Sequence, residues 1–144
     1  MDTWPLRRNT AHPILQSLLD VRAELGRGAT REVYVEALAT EFRARRVAFE
    51  REVPTDLWYR GQLLAARPTV AFVVEHGSPL DVVASERLVA ADEAATLHHL
   101  RARGGGHGLV VNFGAPRLQV RRVHASAVLS GDALAPRGVG AAGA

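Results

Sequence analysis

The chain has 144 residues, no cysteine and 47% hydrophobic residues, a size that suits one domain with a real core. Without cysteine there are no disulfides and no thiolate metal site, which excludes a stapled secreted scaffold and a zinc finger. All eighteen basic residues are arginine, set against fifteen acidic ones, so the formal charge is only +3.

In chain order, residues 1–12 read as an irregular lead-in. Ile14, Leu15, Leu18, Leu19 and Leu25 sit near helical spacing, which predicts a first helix over residues 13–25 that Gly26 and Gly28 stop. Thr30 is placed to cap a second helix, in which Val33, Tyr34, Ala37, Leu38 and Phe42 repeat at three and four up to about residue 45. The period then changes to two. Val47, Phe49, Arg51 and Val53 alternate with Ala48, Glu50 and Glu52, a strand that Pro54 ends. Extended structure resumes over residues 57–60, with a turn at Gly61. The runs VAFVVE (70–75) and LDVVA (80–84) flank Gly77, Ser78 and Pro79 and read as a hairpin. Ser85 is placed to cap a helix over residues 86–102, the glycine-rich stretch 104–108 is a loop, and residues 109–113 and 118–123 form the last two strands.

This order, α-α-β-β-β-β-α-β-β, predicts an α/β (α+β) fold with a mixed β-sheet flanked by helices. The expected single domain covers residues 13–129, and residues 130–144 form a tail without periodicity, flexible unless a partner holds it. No apolar run reaches the ~18 residues of a membrane span, and no signal-peptide stretch opens the chain, so the expected location is cytoplasmic. Charge is unevenly spread: residues 69–98 carry net −4 and residues 101–144 net +5. That asymmetry suits self-association or an anionic partner. The lack of lysine excludes every mechanism that needs one, including Schiff-base chemistry and a P-loop.

Several segments carry a further resemblance. They are residues 28–34 (GATREVY) followed by Glu36, Ala37 and Leu38; residues 47–54 (VAFEREVP); Tyr59 to Gly61; and residues 108–114 (GLVVNFG) followed by Arg121 and Arg122. In order and spacing the chain resembles the GxxExxY family of small bacterial proteins, part of the PD-(D/E)XK nuclease-like superfamily. The resemblance implies a PD-(D/E)XK nuclease-like core and, in an active relative, metal-dependent phosphodiester cleavage. It also implies where the active residues would stand. The helix glutamate falls on Arg31, with Glu32 one position and about 100° further round the helix. The metal-binding aspartate falls near Val70, the E-x-K pair on Asp81 and Val83, the helix glutamine near Ala95 and the following tyrosine near His99. Of these positions only Asp81 is acidic. A metal-assisted phosphodiesterase needs two or more carboxylates on Mg²⁺ and a group that activates water. Arg31 would repel the ion and is placed to pair with Asp81 instead.

The expected function is therefore a catalytically inactive nuclease-like domain, without metal or cofactor, that acts in assembly or protein interaction and forms a homo-oligomer. A second reading is a non-catalytic nucleic-acid binder using Arg43, Arg45, Arg46, Arg101, Arg103, Arg121 and Arg122, since arginine suits phosphate through its bidentate fork. A third is a metal-dependent nuclease with a relocated site built from Glu50, Glu75 and Asp81. Other constellations carry less. His98 and His99 are adjacent on a helix and point apart, so they do not share an ion with Asp92 and Glu93. The glycine-rich stretch runs from a helix into a strand, the reverse of a phosphate cradle. Ser85, Ser126 and Ser130 lie in no nucleophile-elbow pattern.

Overall fold

Helix α1 (Pro13–Leu25) begins with a proline in its first turn, where no N–H is needed, and His12 Nδ1 accepts the Ile14 N–H at 3.2 Å. It stops at Gly26, whose φ of +67° suits glycine. Helix α2 (Arg31–Ala44) is capped by Thr30, whose hydroxyl accepts the Val33 N–H at 3.4 Å. The computed structural model describes residues 12–126. The expected lead-in up to residue 11, the last residues of the expected domain (127–129) and the tail over 130–144 lie outside the described residues. Among the described residues, no helix is long and apolar enough to cross a membrane.

The strands are β1 (Phe49–Pro54), β2 (Trp58–Tyr59), β3 (Gln62–Leu63), β4 (Thr69–Val74), β5 (Ser78–Val83), β6 (Gly106–Asn112) and β7 (Gln119–Ala125). Helix α3 (Ala94–Ala102) lies between β5 and β6. Five strands form one mixed sheet in the order β1-β4-β5-β6-β7, in which only β5 and β6 run parallel. The α3 crossover makes that parallel pair possible. β2 and β3 form a separate two-stranded hairpin.

Alternation along the strands supplies two faces. Leu80, Val82, Leu109, Val111 and Phe113 join Ile14, Leu18, Tyr34, Leu38 and Phe42 in the larger core beneath α1 and α2. Val110, Val123 and Ala125 pack with Leu88 and Leu100 in a smaller core that includes α3. Phe42, Phe49 and Phe72 meet with ring centroids 5.1–5.7 Å apart in tilted and edge-to-face contacts. Arg45 ties the two first helices together: it donates to Ser17 Oγ at 3.1 Å and pairs with Asp20 and Glu41.

The structure differs from expectation in several places: β1 begins at Phe49 rather than Val47, and Ser78 and Pro79, expected in the hairpin turn, pair with Val74 and Val73 as the start of β5. The helix expected over 86–102 starts later, as a 3-10 turn at Ala90–Glu93 followed by α3. Residues 85–89 are strapped to the sheet instead, with the Ser85 N–H on Asn112 Oδ1 and the Leu88 N–H on Gln119 Oε1. Asp92 rather than Ser85 then caps the turn, accepting the Val89 N–H at 2.9 Å. Strand β6 starts at Gly106, inside the stretch expected as a loop. Gly106 to Gly108 pair with β7, and a Cβ on Gly108 would stand 2.7 Å from Pro79 Cγ and 2.9 Å from Thr96 Cγ2. Glycine there lets α3 and β5 approach β6. The extra short strand β3 closes the turn expected at Gly61.

The Asn112–Phe113–Gly114 corner joins these layers. Buried Asn112 satisfies its whole amide: Oδ1 accepts from Ser85 N and Gly114 N, and Nδ2 donates to Ser85 O and Gln119 Oε1, all at 2.9–3.0 Å. A Cβ on Gly114 would lie 2.5 Å from the Ser85 carbonyl oxygen and 2.6 Å from its nitrogen. We therefore expect Gly114→Ala to destabilise the fold by roughly 1–3 kcal/mol, because backbone must move to admit the methyl group. Urea unfolding of the two proteins measures this, and an unchanged midpoint contradicts it.

Candidate functional site

The antiparallel ladder between β4 and β5 pairs Val74 with Ser78, Val73 with Pro79 and Phe72 with Leu80, and ends there. The next residue on β5 is Asp81. Its Oδ1 accepts the Ala71 N–H across the gap at 3.0 Å and the Val82 N–H at 3.0 Å, so a side chain takes the place of the next ladder bond. Arg31, first residue of α2, reaches into the same gap. Its Nη2 lies 3.4 Å from Asp81 Oδ1, and its Nε donates to the Val82 carbonyl at 3.0 Å. Glu52 of β1 closes the group, with Oε2 3.3 Å from Arg31 Nη1 and Oε1 3.5 Å from Nη2. Glu52 holds a φ of +49°, unusual in a strand and strained for a residue with a Cβ.

Asp81 is only 8% exposed, whereas Glu52 is open to solvent. Burial pushes the Asp81 carboxyl above its ordinary value, and the Ala71 and Val82 N–H groups and Arg31 only partly oppose it. Burial also works against the Arg31 charge, but Glu52 and Asp81 outweigh it and hold the guanidinium above its ordinary value.

The residues at the other expected positions supply no ligand. Val70 is fully buried, Val83 packs against the core that includes α3, and Ala95 is a half-buried residue of α3. Half-buried His99 lies on α3, its pKa lowered by burial and by Arg103 against the opposing Glu50. Divalent ions take several oxygen ligands. One buried carboxylate whose Oδ1 already accepts three donors, beside a guanidinium, does not fit such an ion. Among the described residues, no three His, Cys, Asp or Glu side chains come together to hold a metal. Glu50, Glu75 and Asp81 are likewise not brought together. Glu75 faces His12 at 3.9 Å, Glu50 faces His99, and Asp81 lies in the β4–β5 gap. The convergence that a relocated site requires is not formed by these three.

The spacing of the resembling sequence segments has a structural basis. Tyr34 Oη donates to the Gly26 carbonyl at 2.6 Å and accepts the Ala29 N–H at 3.3 Å, while its ring stacks on Phe113 at 4.6 Å. Arg22 and Arg27 hold the carbonyls of residues 114–116 from the end of α1. The glycine–tyrosine and Asn–Phe–Gly segments thus meet in space. A family model of the PD-(D/E)XK nuclease superfamily matches residues 8–123, most of the chain.

The chain belongs to the PD-(D/E)XK nuclease superfamily. Its mixed sheet, with helices on both faces, is the fold expected of that group. No curated protein and no solved structure matches the chain.

The arginines considered for nucleic acid are scattered over this nuclease-like fold. Arg45 clamps α1 to α2, Arg103 donates to the Gly77 carbonyl, and Arg121 pairs with Glu93 at 3.0 Å. Arg43 lies over the Phe49 ring at 5.7 Å; Arg46, Arg101 and Arg122 are exposed. Asp92 caps the 3-10 turn and Glu93 holds Arg121, so neither joins His98 and His99 at a metal. Ser85 donates to the Arg87 carbonyl; Ser130 lies outside the described residues. Sequence reasoning missed Glu52. Its alternation with Val53 marks a strand, but nothing local marks it as the partner of a residue 21 positions earlier.

A raised carboxyl pKa fixes the sign of a pH effect. The stability that neutral Asp81 contributes is fully present below its ordinary pKa of 3.8 and is lost as pH rises through the higher folded value. Asp81→Asn keeps the Oδ1 acceptor and removes the titration. Its stability relative to the wild type is expected to grow from acid pH toward neutrality, read by thermal unfolding across that range; a difference that shrinks with pH contradicts this.

Proposed function

We propose that this superfamily member is a degenerate relative of the GxxExxY family, catalytically inactive and kept as an assembly or protein-interaction domain. One observation carries the reading: Arg31 grips Asp81, the one acidic residue at the expected active positions, while Val70 and Val83 stand where polar groups would act. Degenerate positions Arg31, Val70, Asp81, Val83 and Ala95 leave no group to activate water and no pair of free carboxylates. Burying valines there instead of unpaired carboxylates favours a stable inert scaffold.

Two features support interaction with a second copy. The β2–β3 hairpin stands outside the main sheet and leaves Trp58 and Tyr59 more than half exposed, with Leu63 and the following Leu64 also exposed. Exposed apolar groups gathered on one element suit a protein contact. The acidic middle and basic C-terminal third supply complementary charge between copies.

Nucleic acid is the runner-up partner, because the superfamily acts on it and arginine binds phosphate well. That reading requires affinity that falls steeply with salt, through counterion release.

The deciding experiment combines two measurements on the purified chain after a high-salt wash. Incubation with duplex and single-stranded DNA and RNA in Mg²⁺ or Mn²⁺ is expected to give no cleavage above the Asp81→Ala background. Light scattering is expected to give a mass above the 15.5 kDa monomer, lowered by Trp58→Ser with Leu63→Ser. Cleavage that Asp81→Ala abolishes overturns the inactive reading. A strict monomer with salt-sensitive nucleic-acid affinity moves the runner-up ahead.

A further inference from the structure

We infer that Arg31 is a built-in counter-ion: its guanidinium fills an oxygen-lined cation cradle formed by Glu52, Asp81 and the Val82 carbonyl, and so makes the domain independent of divalent metal. This deepens the inactive reading and rests on it.

The geometry is that of a cation among oxygen ligands. Four oxygens from three residues converge on one planar group. Glu52 Oε2 is 3.3 Å from Nη1, Glu52 Oε1 3.5 Å and Asp81 Oδ1 3.4 Å from Nη2, and the Val82 oxygen 3.0 Å from Nε. Two carboxylates and a backbone carbonyl are the ligand types of a hard divalent ion. They are drawn from two strands, β1 and β5, and the first residue of α2 puts a side-chain cation among them. Two observations set this apart from an ordinary surface ion pair. Asp81 is buried, so its charge requires a neighbour. Glu52 holds its place with a left-handed backbone, a conformation that costs energy and that the contact with Arg31 helps to offset.

The consequence concerns what happens when the guanidinium is removed. Glu52 and Asp81 then face each other without a cation, and the site gains affinity for one from solution. The N···O distances of 3.0–3.5 Å exceed metal–oxygen distances, so the cradle must contract. Ca²⁺ accepts flexible geometry at about 2.3–2.6 Å, whereas Mg²⁺ demands near-ideal octahedral geometry at about 2.0–2.1 Å. The class of ligand is therefore a larger hard divalent cation, with Ca²⁺ and Mn²⁺ as probes.

The test compares wild type, Arg31→Gln and Arg31→Gln with Glu52→Gln, by calorimetric titration with CaCl₂ or MnCl₂ and by thermal unfolding with and without each salt. Wild type is expected to show no saturable binding and no change in midpoint on adding either ion or a chelator. Arg31→Gln is expected to bind at least about tenfold more tightly and to gain several degrees on saturation. The double variant is expected to lose both gains. Should Arg31→Gln be unfolded without metal, Ca²⁺ is expected to refold it and K⁺ at equal ionic strength is not. Absence of any gain in Arg31→Gln, a gain that survives Glu52→Gln, or saturable binding by the wild type overturns the inference. These outcomes are separate from cleavage: a wild type that cuts nucleic acid defeats the inactive reading, and an inert wild type whose Arg31→Gln variant binds no ion defeats only this one.

Discussion

Between β4 and β5 a side chain ends the sheet ladder. Asp81 Oδ1 takes the N–H groups of Ala71 and Val82, and the carboxylate lies buried where the strands part. A buried carboxylate with only backbone donors stays costly to ionise, and removing a charged partner from such a group is strongly destabilising. The positions of Arg31 and Glu52 follow from that constraint. The first turn of α2 must sit over the gap so that Arg31 reaches both Asp81 and the Val82 carbonyl, and β1 must twist locally at Glu52 to complete the group. The docking of α2 on the sheet and the chemistry of the gap are one arrangement.

A second set of contacts holds α2 in that position. Tyr34, one turn further along the helix, closes the α1–α2 loop through Gly26 and Ala29 and stacks on Phe113. Phe113 is fixed in turn by the Asn112 amide, which binds both backbone groups of Ser85 and the Gly114 N–H. Buried polar groups satisfied this fully specify one arrangement, because any shift leaves several of them unpaired. The segments that resemble the GxxExxY family are thus largely scaffold: glycine, tyrosine and the Asn–Phe–Gly corner position α2 against β6. The charged group of Arg31, Glu52 and Asp81 lies on other residues of α2, β1 and β5. The contacts that dock α2 and the charges at the gap are thus separate sets of residues in one fold.

Much of the architecture was readable in advance. The helix over 13–25, the hairpin of β4 and β5, and the order of the main elements follow from local periodicity and from glycine and proline punctuation, which act over a few residues. The start of α3 was not readable. Ser85 has the chemistry of a cap, but Asn112 and Gln119, 27 and 31 residues later, compete for the backbone of Ser85 and Leu88 and win. Glycine lacks strand propensity, so residues 104–108 taken alone favour a loop. Pairing with β7 and the close approach of Pro79 and Thr96 overrode that preference. In the candidate site, the opposition of Arg31 and Asp81 was legible through the spacing of the resembling segments. Glu52 was not, since its role depends on a long-range contact and an irregular φ that no local pattern encodes.

The sequence by itself determined which chemistry is missing. No lysine or cysteine exists to act as nucleophile, base or soft ligand, and the residues at the expected active positions are aliphatic apart from Arg31, Asp81 and His99. Composition is a property of the chain that folding does not change. Only the tertiary structure decided what those remaining charges do. Glu52 and Asp81 are separated by 21 and 50 positions from Arg31, and the convergence of the three depends on how α2, β1 and β5 meet at a gap in the sheet. Electrostatic interaction depends on separation and burial in space, and neither quantity exists until the helix is docked on the strands.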